Sequence, residues 1–153
     1  YLKSIFDYKD GELYWKIRPA NCVQIGDKAG CLDTNGYYKI RINKRMHGTH
    51  RLIFAWHYGY FPNKIDHADR NTKNNRIENL RDATDAQNQW NTLKNPRNTS
   101  GYKNVLFRKD KKKWTCRFRV NGKDIMRGAF NTAEEASIYA EQLRKELHGQ
   151  FAI

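Results

Sequence analysis

The sequence predicts an α+β fold, built from short strands and short helices that occupy separate runs of the chain. Three observations indicate this class: turn dipeptides between apolar runs in the first third, a change to helical spacing at Thr49, and a capped helical pattern that closes at Gly149. The 153 residues allow one compact domain or two small ones.

The chain is strongly basic. It has 29 Lys and Arg residues against 16 Asp and Glu residues, which gives a net charge of +13 and a pI near 9.8. Like charges in this excess oppose compaction, so the composition indicates a polyanionic partner, and nucleic acid is the first candidate. A membrane surface is less favoured, because the sequence has neither an apolar run of ~18 residues nor a long basic amphipathic helix.

Two features of the sequence predict a reduced, cytoplasmic protein. The opening stretch YLKSIFDYKDG lacks the basic and then apolar segments of a signal peptide. Cys22, Cys31 and Cys116 are odd in number and form no C-x-x-C motif, so neither a disulfide framework nor a zinc knuckle is indicated.

Residues 1–48 predict short strands joined by tight turns. Asp10-Gly11 stands between two apolar and aromatic runs, which is a strong hairpin signal. Asn35-Gly36 repeats the pattern before an alternating strand, YYKIRI.

The stretch THRLIFAWHYG predicts a short, largely buried helix, capped by Thr49 and ended by Gly59. His50 and His57 lie on it seven residues apart. Histidine pairs that bind metal on helices more often stand four residues apart, so we interpret both as structural.

The next segment, KIDHADRNTKNNRIENL, is unusually polar: four asparagines follow His67 within residues 71–79. It predicts a strand entered through Ile65, an irregular loop, and a second strand, NLRDAT. Side chains of strand neighbours point to opposite faces, so Asp66 and His67 can serve one site only if the backbone bends there. Within the loop, Asp69, Asn71, Asn74 and Asn75 are expected to turn the chain.

A helix over TDAQNQWNTL follows, because Thr84 and Gln87 form a capping box. The second strand and this helix return Asn79 and Asn88 towards Asp66 and His67. Two strands and one helix in this order can hold a single divalent cation between a strand end and a helix.

The Asp-His pair and the later stretch NNRIENLRDATDAQNQWN resemble the HNH endonucleases, especially the phage homing-type branch, in which asparagines follow the Asp by 13 and 22 residues. Asn79 and Asn88 occupy those positions here. The resemblance covers residues 49–91 well and the N-terminal strands more loosely. It implies the ββα-metal fold, DNA cleavage and, for a phage-encoded chain, the cytoplasm of a bacterial host.

The resemblance also implies roles for single residues. Asp66 and Asn88 would hold one divalent ion, Mg²⁺ or Mn²⁺, that stabilises the leaving 3′-oxygen. His67 would accept a proton from the attacking water. Asn79 would orient His67 or brace the loop, and Asn91, one helical turn after Asn88, is a rival ligand.

The last third reads as a separate small unit, 101–153, after a polar linker, 94–100. The runs YKNVLFR, KWTCRFRV and DIMRGAF predict three strands, with Asn121-Gly122 as the second turn. A helix follows, with Thr132 and Glu135 as a capping box. Its apolar face is formed by Ala136, Tyr139, Ala140, Leu143 and Leu147.

Alternation along the predicted strand WTCRFRV sends Trp114 and Phe118 towards this helix and Thr115, Arg117 and Arg119 to the opposite face. A sheet face that carries arginines can enter a DNA groove.

This segment resembles the plant ethylene-response-factor (apetala-two) DNA-binding domain, which phage HNH proteins often carry at their C-terminal end. The match includes Tyr102, Lys103, Val105, Arg119 and the junction GAFNTAEEA, and the sequence departs from the pattern at Arg127. Candidate DNA-binding residues over the whole chain are Arg76, Arg81, Lys103, Arg108, Lys111, Lys112, Lys113, Arg117 and Arg119.

The sequence thus predicts a metal-dependent endonuclease that acts on double-stranded DNA as a monomer, without membrane association. Its nuclease domain would span 1–93 and its DNA-binding domain 101–153. A non-catalytic, sequence-specific DNA-binding regulator is the alternative. RNA binding ranks below both, because Trp114 and Phe118 lie opposite the arginines.

Overall fold

The computed structural model describes residues 1–120 and 122–152, which fold as two compact units, Tyr1–Asn88 and Gln89–Ile153. Mixed helix and strand confirm the α+β class. The assignment of separate functions to 1–93 and 101–153 stays a prediction.

The elements of the first unit are short. The strands are β1 (Phe6–Lys9), β2 (Glu12–Trp15), β3 (Cys31–Leu32), β4 (Tyr38–Ile42), β5 (Arg45–Gly48), β6 (Lys64–His67) and β7 (Leu80–Ala83). The helices are α1 (Leu2–Ile5), α2 (Thr49–Tyr58) and α3 (Asp85–Trp90), of which α3 runs across the division between the units.

The two predicted hairpin turns are both present. β1 pairs with β2, and Asp10 and Gly11 between them have φ of 50° and 87°, as a two-residue hairpin turn with both central residues left-handed requires. A Cβ at Gly11 would lie 2.8 Å from the backbone nitrogen of Arg76, so this close approach also needs glycine. β3, β4 and β5 form an antiparallel sheet around the second turn.

The predicted helix over α2 is confirmed, but its cap is Gly48 and not Thr49. Gly48 keeps the extended conformation of β5, with φ −64° and ψ 129°, while Thr49 already has helical geometry and a buried side chain. The C-terminal end at Gly59 is as predicted, with φ 80° in the left-handed region.

The first core forms where α2 packs on the hairpins. Its most buried side chains are Phe6, Leu13, Ile40, Leu52 and Ile53, each at most 2% exposed. Burial of these side chains fixes α2 against the strands and so sets the position of the chain that enters β6.

β6 and β7 form an antiparallel pair that places Asp66 directly opposite Arg81 and His67 opposite Leu80. The predicted capping box of α3 is confirmed: the Thr84 backbone NH donates to Gln87 Oε1 at 2.8 Å, and the Gln87 NH donates to Thr84 Oγ1 at 3.2 Å. Strand, loop, strand and helix therefore follow one another as the sequence predicts.

The second unit is a three-stranded antiparallel sheet covered by one helix. It contains β8 (Val105–Arg108), β9 (Lys113–Val120), β10 (Lys123–Phe130) and α4 (Ala133–His148), with β9 central. Cys116 and Phe118 of β9 pack against Ala136 and Ala140 of α4, and all four are at most 1% exposed.

The ends of α4 also match the prediction. Thr132 Oγ1 accepts from the Glu135 NH at 3.2 Å, and Gly149 follows the last turn. Of the predicted Asn121-Gly122 turn, Asn121 lies outside the described residues. Among the described residues, no helix is long and apolar enough to cross a bilayer.

Candidate active site and basic surface

Asp66 and His67 end β6, and the fold buries both polar side chains, which are 4% and 5% exposed as residues. As strand neighbours they contact different groups. Two buried, ionisable residues in succession are costly for a fold unless each has polar partners, so the partners decide what the pair can do.

Asp66 is paired with Arg81 across the strands. Arg81 Nε and Nη2 lie 2.7 Å and 2.6 Å from the same oxygen, Oδ2 of Asp66. The Asp66 side chain is 5% exposed and that of Arg81 is 17% exposed. The sequence predicts that Arg81 binds DNA. In the structure its guanidinium contacts the predicted metal ligand, and DNA binding by Arg81 stays a prediction.

His67 is held by polar and aromatic neighbours. Its Nε2 lies 3.1 Å from Asn75 Oδ1, in a buried hydrogen bond. Since an amide oxygen only accepts, Nε2 carries the proton, and in the neutral ring Nδ1 is then the basic nitrogen. The rings of His50 and Tyr37 stand 5.4 Å and 6.2 Å from that of His67, between centroids.

His50 is electrically neutral at physiological pH. Burial lowers its pKa from 6.5 to about 4, and the neighbouring side chains of His67 and Arg51 add to the effect. His50 fits here because Gly48 has no side chain: a Cβ there would lie 2.8 Å from the His50 ring.

Asn79 braces the loop between β6 and β7. Its Oδ1 accepts from the Asp69 NH at 2.9 Å, and its Nδ2 donates to Asp69 Oδ1 at 2.9 Å and to the Asn74 carbonyl at 2.8 Å. Asp69 also accepts from the Asn71 NH at 2.8 Å. Of the two roles considered for Asn79, loop bracing has these contacts, whereas Asn75 supplies the hydrogen bond to His67.

Asn88 lies half-buried on α3, where its backbone NH donates to the Thr84 carbonyl at 2.9 Å. Asn91, the rival ligand, is buried and follows the end of α3. In the described part of the chain, no group of three or more His, Cys, Asp and Glu residues is arranged to hold a metal ion. The predicted ligands are of another kind, one carboxylate and one amide, and such hard oxygen donors suit Mg²⁺ and Mn²⁺.

Sequence reasoning does not assign Tyr37, His50 or Asn75 to the site. Asn75 lies in a run of loop asparagines with nothing to distinguish it from Asn74. His50 contacts the ring of His67, which lies 17 residues further along the chain. The spacing between His50 and His57 gives no indication of that contact. Tyr37 precedes β4, His50 lies in the first turn of α2 and Asn75 lies in the loop after β6, so only the tertiary structure reveals all three as neighbours of His67.

The exposed face of the second unit carries arginines, as predicted. Arg117 and Arg119 of β9 are exposed, while Phe118 between them is buried. Thr115, predicted on the same face, is only 4% exposed, because a bulge in β10 brings the carbonyl oxygens of Arg127 and Gly128 within 3.0 Å and 2.9 Å of its hydroxyl.

Several of the predicted DNA-binding side chains have partners within this unit. Arg117 pairs with Asp124, Arg108 with Asp110, and Lys113 donates to Asn131. Lys103 Nζ donates to the carbonyl groups of Trp90 and Thr92 at 2.7 Å and 2.6 Å. The exposed members of the set include Arg76, Lys111, Lys112 and Arg119.

Comparison with known proteins identifies a family for part of the first unit. Residues 47–90, which include α2, β6, β7 and α3, match the family described as HNH endonuclease. The chain therefore carries an HNH endonuclease domain, which is a type of nuclease domain. Such a domain implies DNA as the substrate.

The chain is 37% identical over 95 residues to protein 3.8 of Escherichia phage T7, an alignment that covers 61% of this chain and 74% of that protein. It belongs to the same family as that phage protein. No solved structure matches the chain.

Proposed function

We propose that the protein is a metal-dependent endonuclease that hydrolyses phosphodiester bonds of double-stranded DNA, with His67 as the general base. The buried Asp66–His67 pair at the end of β6 carries this proposal, because it lies inside the segment that matches the nuclease family. A scaffold without catalysis has no need to bury two ionisable side chains in succession.

His67 is suited to activate water. Its Nε2–H is engaged with Asn75, so the ring presents Nδ1 as the proton acceptor, and imidazole can accept a proton at neutral pH. The position of the ring is further restricted by His50 and Tyr37. These contacts support one fixed orientation of the base, which is what proton transfer requires.

Asp66 and Asn88 would hold the divalent ion, Mg²⁺ or Mn²⁺. When bound, this ion supplies positive charge next to the leaving 3′-oxygen. Asn79 acts by bracing the loop 68–79, and so holds the backbone that follows His67. Arg76, which is exposed, would contact phosphates of the substrate.

The second unit would deliver the nuclease to DNA as an ethylene-response-factor-like module. The support is its exposed arginine face on β9 and the lysines of the turn before that strand. Lysines there would contact phosphates, and Arg119 and Arg117 would read a preferred site through the major groove.

Incubation of the full chain with supercoiled plasmid, in Mg²⁺ or in EDTA, tests the proposal. We expect open-circle or linear DNA only with Mg²⁺, and no product from Asp66→Ala under the same conditions. Stable DNA binding by the parent without any cleavage in Mg²⁺ or Mn²⁺ would instead identify the alternative, a non-catalytic regulator.

A further inference from the structure

Asp66 and Arg81 form an ion pair at the position where the proposed function puts a divalent ion. The two residues are cross-strand partners on β6 and β7. Both contacting guanidinium nitrogens, Nε and Nη2, approach one oxygen, Oδ2 of Asp66, at 2.7 Å and 2.6 Å. The predicted metal ligand is therefore already neutralised by a side chain of the same chain.

We propose that Arg81 is a placeholder for the metal ion, a role that rests on the proposed function: it neutralises Asp66 in the free protein and moves to a DNA phosphate when substrate binds. A buried carboxylate without a counter-charge is strongly unfavourable, so Asp66 needs a cation whenever no metal is bound. Arginine keeps its charge at any physiological pH and supplies that cation permanently.

Arg81 and a divalent ion cannot both occupy Oδ2 of Asp66. An ion bound to this carboxylate would lie within a few ångströms of the guanidinium, and two cations so close repel each other strongly in a site with little solvent. The guanidinium on Oδ2 therefore opposes metal binding at this carboxylate, and departure of Arg81 would favour it. The free protein should bind divalent ions weakly for this reason.

A phosphate group offers Arg81 another partner. Guanidinium pairs with phosphate through two hydrogen bonds, and Arg81 is the more exposed member of the pair, with 17% against 5% for Asp66. Once Arg81 has moved to the phosphate, the negative charge of Asp66 attracts the metal. By linkage, metal then strengthens DNA binding by the same factor.

The test is Mn²⁺ binding to the full chain without DNA, measured by isothermal titration calorimetry. Arg81→Gln should bind Mn²⁺ about tenfold or more tightly than the parent, within the usual range of such couplings. Arg81→Lys keeps a cation and should stay close to the parent. Arg45→Gln removes the same charge from an exposed position on β5 and is the matched control, with no change expected.

A second arm measures the coupling to DNA in a His67→Ala background, which prevents cleavage. Duplex DNA should tighten Mn²⁺ binding about tenfold or more in His67→Ala, and hardly at all when Arg81→Gln is added. The double variant with His67→Ala and Asp66→Asn lacks the charged metal ligand. In the presence of DNA it therefore measures the Mn²⁺ that the DNA itself binds. The comparison of His67→Ala with and without DNA does not depend on how well Arg81→Gln folds.

The outcomes separate the placeholder role from the metal site. If Arg81→Gln binds Mn²⁺ no more tightly than the parent, while Asp66→Asn still abolishes binding, the placeholder role is wrong and the metal site stands. DNA that leaves the Mn²⁺ affinity of His67→Ala unchanged would likewise overturn the coupling. If no variant binds Mn²⁺ through Asp66, with or without DNA, the metal site of the proposed function fails together with this inference.

Discussion

Three neighbours restrict the orientation of the His67 ring. Asn75 Oδ1 takes the hydrogen bond from Nε2, and the rings of His50 and Tyr37 pack nearby. A general base is effective only when its basic atom points at the proton that it removes. We therefore interpret Asn75 as a positioning residue that selects the tautomer of His67.

This interpretation predicts different results for two substitutions of Asn75. Asn75→Ala removes the acceptor and should slow cleavage at least roughly tenfold, a part of the 10²–10⁴-fold that general base catalysis contributes. Asn75→Asp keeps an acceptor but adds negative charge, which favours the charged imidazole. The acid limb of its cleavage profile should therefore move to higher pH.

Cleavage rates measured from about pH 5 to 9 under saturating DNA check both expectations. Asn71→Ala, in the same loop but exposed, is the control and should behave like the parent. A purely structural role for Asn75 would lower the amount of active protein and leave the shape of the Asn75→Asp profile unchanged.

The lowered pKa of His50 predicts a loss of stability in acid. The folded chain keeps His50 neutral down to about pH 4, whereas the unfolded chain protonates it near 6.5. Between these values the unfolded state binds more protons, so the stabilisation is present above 6.5 and is lost as the pH falls towards 4. The free energy of unfolding should change by up to about 1.4 kcal/mol per pH unit from this group.

Urea denaturation followed by circular dichroism, between about pH 4.5 and 7, compares the parent with His50→Gln. The second unit is identical in both, so the difference in unfolding free energy reports on the first. That difference should shrink as the pH falls. His47→Gln is the matched histidine control on β5, and its difference from the parent in unfolding free energy should not change with pH. A difference for His50→Gln that is equally independent of pH would contradict the burial argument.

At the scale of elements, the capping box fixes where α3 begins and so places Asn88 within the helix. Thr84 and Gln87 bond each other at the first turn, and Asn88 follows one residue later. Asn91 lies three residues further, beyond the helix end at Trp90. The start of α3 thus favours Asn88 as the ligand.

Alanine substitution at the proposed ligands tests this choice. Asp66→Ala and Asn88→Ala should each weaken Mn²⁺ binding and cleavage, and Asp66→Ala should be the more damaging because it removes the charged ligand. Asn91→Ala should leave Mn²⁺ affinity close to that of the parent. Calorimetry on all three variants, with DNA present, decides between Asn88 and Asn91. If Asn91→Ala weakens Mn²⁺ binding and Asn88→Ala does not, the ligand is Asn91, one helical turn later.

Under the proposed function, β9 and the turn before it would make different contributions to DNA binding. The turn holds flexible point charges that would reach phosphates, Lys109, Lys111 and Lys112, and Lys113 follows as the first residue of β9. The strand holds planar guanidinium groups that can pair with guanine. Arg117 is already paired with Asp124, and Arg119 is exposed on the same face.

Alanine in place of the turn lysines should weaken binding to all DNA alike and flatten its salt dependence, by roughly one unit of log–log slope for each phosphate that the variant no longer neutralises. Arg119→Ala or Arg117→Ala should cost about 1–3 kcal/mol mainly on the preferred site. Salt titrations on preferred and scrambled duplexes measure both effects. Equal losses of affinity on both duplexes for the arginine variants would mean that the strand contacts only the DNA backbone.

At the scale of the whole molecule, patterns within a few residues predict the fold well. Turn dipeptides, capping boxes and alternation predict the hairpins, α3, α4 and the buried side of β9, because local chemistry determines these features. The predicted cap of α2 is wrong by one residue, since β5 extends through Gly48 and the helix starts at Thr49.

The candidate site is predictable in its backbone frame but not in its contacts. Asp66 and His67 are indicated by motif spacing, yet the partners that matter come from distant parts of the chain. The His50 ring at the start of α2 contacts the His67 ring at the end of β6, and Arg81 meets Asp66 through the strand register. Such pairings depend on tertiary structure, which a single sequence does not display.

The most direct test of the central claim is the rate of plasmid cleavage by His67→Ala in Mg²⁺, with protein in excess so that all DNA is bound. We predict a loss of at least ~10²-fold relative to the parent, the usual contribution of a general base, with DNA affinity nearly unchanged. His47→Ala, a histidine of β5 outside the site, should cut like the parent. Cleavage by His67→Ala at the parent's rate, with equal DNA occupancy, would contradict the assignment of His67 as the general base.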